Sequence, residues 1–425
     1  MEAPSWIDLP APAAQLRVCV VIPAYDELET IEAVILSLDV EELTPEQVEI
    51  LVCVNNTVDS PARAQQANRK TIDLLHRLQK EVPFALHILD RATEGRAFAT
   101  DAGGVGHARR LLMDLATARL FEVGRFERGL IACLDGDSPA DSGYLDDVSR
   151  EMNRGSARSR PLAGVCRYRH PIPTEEEHAR AIITYESWMR YFEAALQLVK
   201  TPYAFQSIGS CMVLTARGYA QADGVPPREA LSDFYMLQKV VKTGSWGSVI
   251  RLRKPLVRPS ARPSTRVPRG TGPSVRASME RAEGRFEWVE PPRAFLELRR
   301  FFAALEAGFE DPGALRQAAS PFLAEIIERW NGWTAIDSLR ENAPDSRRFQ
   351  RQFHTCFDSL KIVKFANRSR EKWGGVFLFD AIAELKDAGA FGGELSFSSP
   401  SHGQTPGLSE RIELLQALRS CDHGP

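Results

Sequence analysis

Residues 130–137 read LIACLDGD, an apolar run that ends in two aspartates separated by one glycine. Such a run is typical of a buried parallel strand. Asp135 and Asp137 then follow the carboxyl end of that strand, where open α/β sheets bind their ligands. Alternation along an extended chain places both carboxylates on one side, and Gly136 lets backbone or ligand come close. Two such oxygen donors suit a hard divalent cation and the phosphates that it carries, which indicates a nucleotide-linked substrate.

Strand-like and helix-like segments alternate on both sides of this run. The patterns predict further strands at 16–22, 48–54, 84–89, 163–168, 211–215 and 247–252. They predict helices at 29–38, 62–80, 105–115, 145–152, 175–200 and 231–242. This alternation is typical of βαβ units with a parallel sheet, so the expected fold is a doubly wound, three-layer α/β sandwich.

The composition changes after Lys254. Residues 255–278 contain five prolines, two glycines and five arginines, which predicts an extended loop or linker. Helical patterns return at 293–305, 314–329, 346–363 and 377–386, and Pro321 is expected to break or kink the second of these. We therefore predict one α/β domain over 1–258, a loop over 259–280, and a helical region with a flexible tail over 281–425.

Composition excludes several classes of protein. The chain has 425 residues, 44% of them apolar and 26% charged, and a net charge of −3, so nothing indicates nucleic acid as a partner. No segment approaches the roughly 20 apolar residues of a membrane-spanning helix. The first residues lack a signal-peptide pattern, so we expect a cytoplasmic location. Five of the seven cysteines lie in apolar runs and are expected in the core, in a reducing compartment: Cys19, Cys53, Cys133, Cys166 and Cys211.

A second informative stretch is VVIPAYDE at residues 20–27. Proline at a strand end stops the ladder of hydrogen bonds and sets the turn. Tyr25 and two acids then lie at the same sheet edge as Asp135 and Asp137. Taken alone, the stretch has a plainer interpretation, in which Glu27 and Glu29 are acids favoured by the dipole at the start of a helix.

Extended to residue 38, this stretch resembles the opening of a family 2 glycosyltransferase of the GT-A fold. Further segments resemble later landmarks of that family, in the family's order: ILVCVNNTVDS, GGVGHARRLLMDLA, LIACLDGDSPADSGYL and the block that begins at IGSCMVL. The resemblance covers about residues 15–255. It implies a Rossmann-like nucleotide-diphospho-sugar transferase fold. The linker and the helices after it resemble a bacterial branch with a mostly helical C-terminal extension.

The resemblance also implies roles for individual residues. In that family the equivalents of four residues line the nucleoside pocket: Pro23, Ala24, Tyr25 and Glu27. Asn55 stands where many members carry an aspartate that holds the nucleotide base. Because an amide both donates and accepts hydrogen bonds, this residue leaves the identity of the base undetermined. Arg109 would face the diphosphate or the base.

The remaining implied residues surround the diphosphate and the sugar. Asp135 and Asp137, the D-x-D pair, would hold Mg²⁺ or Mn²⁺, with Gly136 between them beside the donor. Gly209 and Ser210 would shape the sugar and acceptor side.

Asp233 is the candidate catalytic base, which would take the proton of an acceptor hydroxyl. The family's usual Glu-Asp pair is Ser232-Asp233 here. The alternative is that Asp233 is only an acid in the first turn of a helix, with Ser232 as its N-cap.

The loop arginines Arg258, Arg262, Arg266 and Arg269 also have two interpretations. They form either a solvated basic linker, or a mobile loop that closes over a diphosphate or an anionic acceptor, because arginine favours bidentate phosphate contacts.

Together these residues predict a hexosyltransferase-like enzyme that moves a sugar from a nucleotide-diphosphate donor to a hydroxyl acceptor with a divalent metal. A base at Asp233 favours inversion of the anomeric carbon. Two alternatives stay open: a retaining transferase that makes a glycosyl-glycerate-type solute, and a non-catalytic nucleotide-binding or scaffold protein of the same fold. The sequence leaves the acceptor and the oligomeric state undetermined.

Overall fold

The computed structural model describes residues 9–100, 104–154, 160–226, 231–244, 246–267, 269–280, 286–393, 395–397 and 406–423. The chain divides into two compact units. The first consists of Met1–Pro171 and Ser207–Pro273, and the second of Ile172–Gln206 and Ser274–Pro425. The domain boundaries at 258 and 280 stay a prediction.

The first unit is built around a seven-stranded sheet. Its strands are β1 Val18–Ala24, β2 Val48–Asn55, β3 Ala85–Arg91, β4 Leu130–Cys133, β5 Ala163–Tyr168, β6 Met212–Thr215 and β7 Val249–Val257, in the order β3-β2-β1-β4-β6-β5-β7. β1 pairs in parallel with β2 and β4, β2 with β3, and β5 with β7. β6 runs antiparallel to both of its neighbours, so the expected parallel sheet is confirmed for the other pairings and wrong at this strand.

The strand order places the switch point of the sheet between β1 and β4. The chain leaves β1 in one direction to form β2 and β3, and then returns to form β4 on the other side of β1. Crossovers on opposite faces diverge at such a point and leave a crevice beyond the carboxyl ends of the two strands. The turns after β1 and β4 therefore meet where a ligand has room to bind.

Helices cover this mostly parallel sheet, which confirms the α/β class. The helices of the first unit are α1 Ile31–Leu36, α2 Ala62–Leu78, α3 Val105–Glu122, α4 Tyr144–Met152, α6 Ala216–Gln221 and α7 Ser232–Thr243. The five cysteines expected in the core are all buried there. Four of them lie in strands of the sheet, and Cys211 immediately precedes β6.

Much of the segment expected to be an extended loop is regular structure. β7 continues to Val257, and a further helix, α8, spans Thr271–Met279. Pro273 lies in the first turn of α8, where a missing N–H group is tolerated. Val275 is fully buried and anchors the helix. The strand end and the helix could not be recognised from the proline-rich composition, because composition indicates backbone constraint and says little about which side chains are buried.

The second unit is helical, as the sequence predicts for most of the chain after residue 281. Its helices are α5 Glu176–Val199, α9 Pro292–Ala303, α10 Leu305–Glu310, α11 Pro312–Ala318, α12 Pro321–Arg329, α13 Gly332–Asn342, α14 Ser346–Cys356, α15 Ser359–Trp373, α16 Leu378–Asp387 and α17 Leu408–Ser420. Two short strands, β8 Trp288–Val289 and β9 Val376–Phe377, pair antiparallel. The helical pattern at 314–329 is broken at Pro321, as expected: α11 ends at Ala318 and Pro321 begins α12, whose first turn is capped by the Ser320 hydroxyl. Among the described helices, none is long and apolar enough to cross a membrane.

A buried ion pair connects three elements of the first unit. Arg119 of α3 donates to Glu49 of β2 with Nε at 2.5 Å and Nη2 at 2.8 Å. His87 of β3 lies beside the same carboxylate, with Nε2 3.9 Å from Oε2 of Glu49. Glu49 is 2% exposed and Arg119 5%. Although burial acts to raise it, the hydrogen bonds from Arg119 hold the pKa of Glu49 below its usual value.

A buried histidine gives the second unit a dependence on pH. His354 of α14 packs edge-on against the rings of Phe302 and Phe353, and burial lowers its pKa to about 3. The unfolded chain binds a proton near pH 6.5 and the folded chain does not, so stability is complete above pH 6.5 and falls as the pH is lowered towards 3. We expect a loss of roughly 1.4 kcal/mol for each pH unit below 6.5.

Urea unfolding of wild type and His354→Leu at pH 7.5 and 5.5 measures this effect. The wild type should lose more stability between the two pH values than the variant, in which residue 354 does not titrate. Equal losses in both proteins would show that His354 does not carry the pH dependence.

Candidate functional site

The turn after β1 brings Glu27 to the switch point. Asp26 has a left-handed backbone with φ of 56°, a conformation that aspartate tolerates better than most residues. Its N–H donates to Oδ1 of Asn68 on α2 at 2.9 Å. Asn68 also donates through Nδ2 to the carbonyl of Asn55 at the end of β2. One buried amide thus ties together the ends of two strands and sets the turn that carries Glu27.

The turn after β4 lies against the turn after β1. A Cβ atom at Gly136 would come within 2.8 Å of Cγ of Glu27, so a side chain at this position would collide with Glu27. The Thr30 hydroxyl lies 2.8 Å from the Gly136 carbonyl oxygen and 2.8 Å from Oε2 of Glu27. The glycine between the two aspartates is therefore required by the approach of a neighbouring turn.

Gly136→Ala should lower the free energy of unfolding by about 1–3 kcal/mol, since overpacking of a rigid site costs this much. Glu27 cannot move aside freely because Thr30 and an arginine hold its carboxylate. Chemical denaturation of Gly136→Ala, Glu27→Ala and the double variant tests the cause. The cost of Gly136→Ala should shrink in the Glu27→Ala background, whereas strictly additive effects would place the strain elsewhere.

Two arginines of the loop after β7 lie on the acidic pair formed by Glu27 and Asp137. Nη2 of Arg262 is 2.5 Å from both carboxylate oxygens of Glu27 and 2.8 Å from Oδ2 of Asp137. Nη2 of Arg266 is 2.8 Å from Oε1 of Glu27, and its Nη1 donates to the carbonyls of Tyr25 and Asp26 at 3.0 and 2.8 Å. The sequence left the role of these arginines open, and in this structure they are not a freely solvated linker.

The acidic pair favours a bound cation. Burial, followed by the charge of Asp137, raises the pKa of Glu27 to about 8. Burial also raises the pKa of Asp137 above its usual range, while Arg262 opposes the rise. Both carboxylates are costly to ionise without a positive charge beside them, and the guanidinium of Arg262 supplies one.

Arg109 of α3 links two further site residues, Asp135 and Ser232. Its Nη2 donates to Oδ1 of Asp135 at 2.6 Å and its Nη1 to the hydroxyl of Ser232 at 3.1 Å. A Cβ atom at Gly209 would lie 2.5 Å from Nη2 of Arg109, so glycine is needed there for the guanidinium to fit. Arg109 is 3% exposed. Although burial acts to lower it, the nearby carboxylates of Asp135 and Asp233 hold its pKa above the usual value.

Asp233 lies in the first turn of α7. Its carboxylate accepts a hydrogen bond from the N–H of Phe234 at 2.8 Å. Burial raises its pKa, and the charge of Arg109 opposes this. The alternative interpretation placed Asp233 correctly in the first turn of the helix, but its N-cap was wrong: the cap is Leu231, in a left-handed conformation, and Ser232 is the first helical residue. The hydroxyl of Ser232 instead accepts from Arg109.

The other residues implied by the resemblance lie around the same strand ends. Pro23 and Ala24 are buried at the end of β1, paired with β2, and Tyr25 follows them half-buried. Asn55 ends β2 and is buried. Gly209 and Ser210 form a buried turn before β6. The structure thus gathers the candidates at one edge of the sheet, and their binding roles stay proposals.

Sequence reasoning missed Asn68 and Thr30. Asn68 occupies a buried position of α2 in the series Ala64, Asn68, Thr71, Leu75 and Leu78. A polar residue on the apolar stripe of a helix needs hydrogen-bond partners, and that signal was available from the sequence. Thr30 offered no comparable signal, because its long-range partner, the carbonyl of Gly136, comes from the turn after β4.

The donor set at the switch point is chemically suited to Mg²⁺ or Mn²⁺, which prefer carboxylate oxygens. Asp135 and Asp137 are half-buried and contribute carboxylates from the same turn. Oδ2 of Asp137 is covered by Arg262 in this structure. In the described part of the chain, no three His, Cys, Asp or Glu side chains are grouped so as to hold a metal ion. A metal at Oδ2 of Asp137 would therefore compete with Arg262 for that oxygen.

Comparison with solved structures finds similar chains at low identity. TarS 1-349 from S. aureus in complex with UDP is 9% identical, with 81% of this chain and 92% of that chain covered and a TM-score of 0.39. The mannosyltransferase PcManGT from Pyrobaculum calidifontis in complex with GDP-Man and Mn²⁺ is 15% identical, with 91% and 89% covered and a TM-score of 0.39. Glucosyl-3-phosphoglycerate synthase from Mycobacterium tuberculosis in complex with Mn²⁺, UDP and phosphoglyceric acid is 14% identical, with 69% and 84% covered and a TM-score of 0.33.

No family model and no curated protein matches the chain. At TM-scores below 0.5, the three similarities do not assign the chain to a family.

Proposed function

We propose that this chain is a glycosyltransferase of the GT-A type, which transfers a sugar from a nucleoside diphosphate donor to a hydroxyl acceptor. One observation carries the proposal. Acids from the turns after β1 and β4 meet three arginines at the switch point, and Arg109 links Asp135 to Ser232, the neighbour of Asp233. A D-x-D turn, cations and a candidate base are the groups that this reaction needs in one place.

The donor would bind across the ends of β1, β2 and β4. Tyr25 offers a stacking face for the base, and Asn55 lies at the end of the neighbouring strand. The diphosphate would lie over the Asp135–Asp137 turn, because cationic side chains suited to phosphate lie beside it. Gly209 and Ser210 would border the sugar.

Asp135 and Asp137 would hold Mg²⁺ or Mn²⁺. The metal, when bound, would neutralise charge on the diphosphate and so stabilise the leaving nucleotide. Arg109 would keep Asp135 ionised and fixed, since its guanidinium donates to that carboxylate.

Asp233 would act as the general base. Its raised pKa brings the carboxylate nearer to neutral pH, where a base accepts a proton most effectively and still returns it to solvent. Removal of the hydroxyl proton as the acceptor oxygen attacks the anomeric carbon gives a single displacement, and therefore inversion.

A donor screen tests the proposal. The purified chain is incubated with UDP- and GDP-linked sugars, with Mn²⁺ or with EDTA, and release of the nucleoside diphosphate is followed with water and with candidate hydroxyl acceptors. Metal-dependent release from one donor supports the proposal, and NMR of the product distinguishes inversion from retention. Nucleotide binding by calorimetry without hydrolysis or transfer would favour a non-catalytic binding protein instead.

A further inference from the structure

The loop after β7 is held over the acidic pair by three arginines. We call residues 258–267 the arginine strap. Arg258 anchors its start: Nε and Nη2 contact the two carboxylate oxygens of Asp141 at 2.5 and 2.9 Å, and its N–H donates to the carbonyl of Pro139. Arg262 and Arg266 then reach the switch point. Arg258 thus pairs with Asp141, whereas Arg262 and Arg266 pair with Glu27 and Asp137.

Arg262 is placed as a bridging cation. A single nitrogen, Nη2, contacts Glu27 and Asp137 together. Glu27 is 7% exposed, so this pair is largely withdrawn from water. Two like charges at such a site need a positive charge between them, and the strap supplies it from the chain itself. A cation at Oδ2 of Asp137 would compete with the guanidinium for that oxygen.

Arg262 also has a side-chain N–H group available for a further hydrogen bond. Its buried Nε has no hydrogen-bond partner among the described residues. A guanidinium has five N–H groups in a planar fork, which matches two oxygens of a phosphate group as well as it matches a carboxylate. The same side chain is therefore suited to an anion once its carboxylate partners are taken by another cation.

We propose, resting on the function proposed above, that Arg262 and Arg266 exchange partners during donor binding. In one arrangement they neutralise Glu27 and Asp137. In the other, Asp137 would hold a divalent cation and the two guanidiniums would bind the diphosphate. The strap is thus a diphosphate-binding element that competes with the metal when the diphosphate is absent and assists it when the diphosphate is present.

Exchange predicts opposite effects of one substitution on two ligands. Arg262→Gln should tighten the binding of Mn²⁺ alone by about tenfold and weaken the binding of inorganic pyrophosphate in saturating Mn²⁺ by about tenfold, within the usual range of coupling between sites. Electron paramagnetic resonance counts free Mn²⁺, and calorimetry measures pyrophosphate. A purely structural role for Arg262 would shift both affinities in the same direction.

Two further variants serve as controls for this measurement. Arg217→Gln removes the same charge from an exposed ion pair with Glu127 in the same unit, away from the strap, and should leave Mn²⁺ affinity within about twofold of wild type, as expected for a screened surface pair. Arg262→Lys retains the cation and should bind Mn²⁺ less tightly than Arg262→Gln. Thermal unfolding of each variant confirms that it is folded.

The exchange is overturned if Arg262→Gln changes both affinities in the same direction, changes neither, or is matched by Arg217→Gln. The donor screen separates this outcome from failure of the proposed function. If the wild type transfers sugar but the variants show no opposite effects on the two ligands, the exchange is wrong and the proposed function stands. If no donor gives turnover, the proposed function itself is wrong.

Discussion

Asp233→Asn should lower kcat for sugar transfer by about 10²–10⁴-fold, the usual contribution of a general base. The carboxylate lies beside Arg109 at the start of α7, and burial raises its pKa. Asparagine has the same shape and still accepts a hydrogen bond, but it does not take a proton. The fold and the donor site should therefore survive the change, and KM for the donor should stay close to that of wild type.

Steady-state kinetics with the donor found in the screen measures both kcat and KM. Asp223→Asn is the matched control, because the Asp223 side chain is 97% exposed and belongs to the same unit. It should leave kcat unchanged. Asp233 is not the base if Asp233→Asn retains wild-type kcat while its melting temperature is also that of wild type.

Arg119→Met should lower the free energy of unfolding by about 3–5 kcal/mol, the cost of leaving one partner of a buried ion pair alone. Glu49 would keep His87 beside it but would lose both hydrogen bonds from the guanidinium. The carbonyl of Pro10, which accepts from Nη1 of Arg119, would lose that donor too. The methionine side chain fills similar space, so the loss is electrostatic more than steric.

The double variant Arg119→Met, Glu49→Leu provides the decisive comparison. Replacing both partners of a buried pair by apolar residues is often neutral, so the double variant should recover most of the stability lost in Arg119→Met. Urea denaturation of wild type, the two single variants and the double variant gives the coupling energy. A double variant as unstable as the sum of the single variants would show that Glu49 and Arg119 do not act as a pair.

Much of the central sheet could be predicted because its signals are local. An apolar run of strand length predicts a strand wherever it lies, and β1, β2, β3 and β4 were located in this way to within two residues. The direction of β6 could not be predicted, since an apolar strand has the same pattern in a parallel or an antiparallel pairing. The helix α8 was missed because a few buried contacts outweigh a composition that is typical of loops.

In the candidate site too, features set by neighbouring residues could be predicted and contacts between distant residues could not. The acidic turn could be predicted to lie at a strand end, because it immediately follows an apolar run of strand length. That turn consists of Asp135, Gly136 and Asp137. Ser232 as a partner of Arg109 could not be predicted, since 123 positions separate them along the chain.

The amino-acid sequence alone determined the α/β class, the strands of the switch point and the acids beyond their ends, because periodicity and turn chemistry act over a few residues. The tertiary structure alone decided what those acids bind. Arg262 reaches Asp137 across 125 positions and Glu27 across 235, and no local pattern encodes such contacts. They form because buried carboxylates require a cation, and the fold brings the strap to the place where that charge is needed.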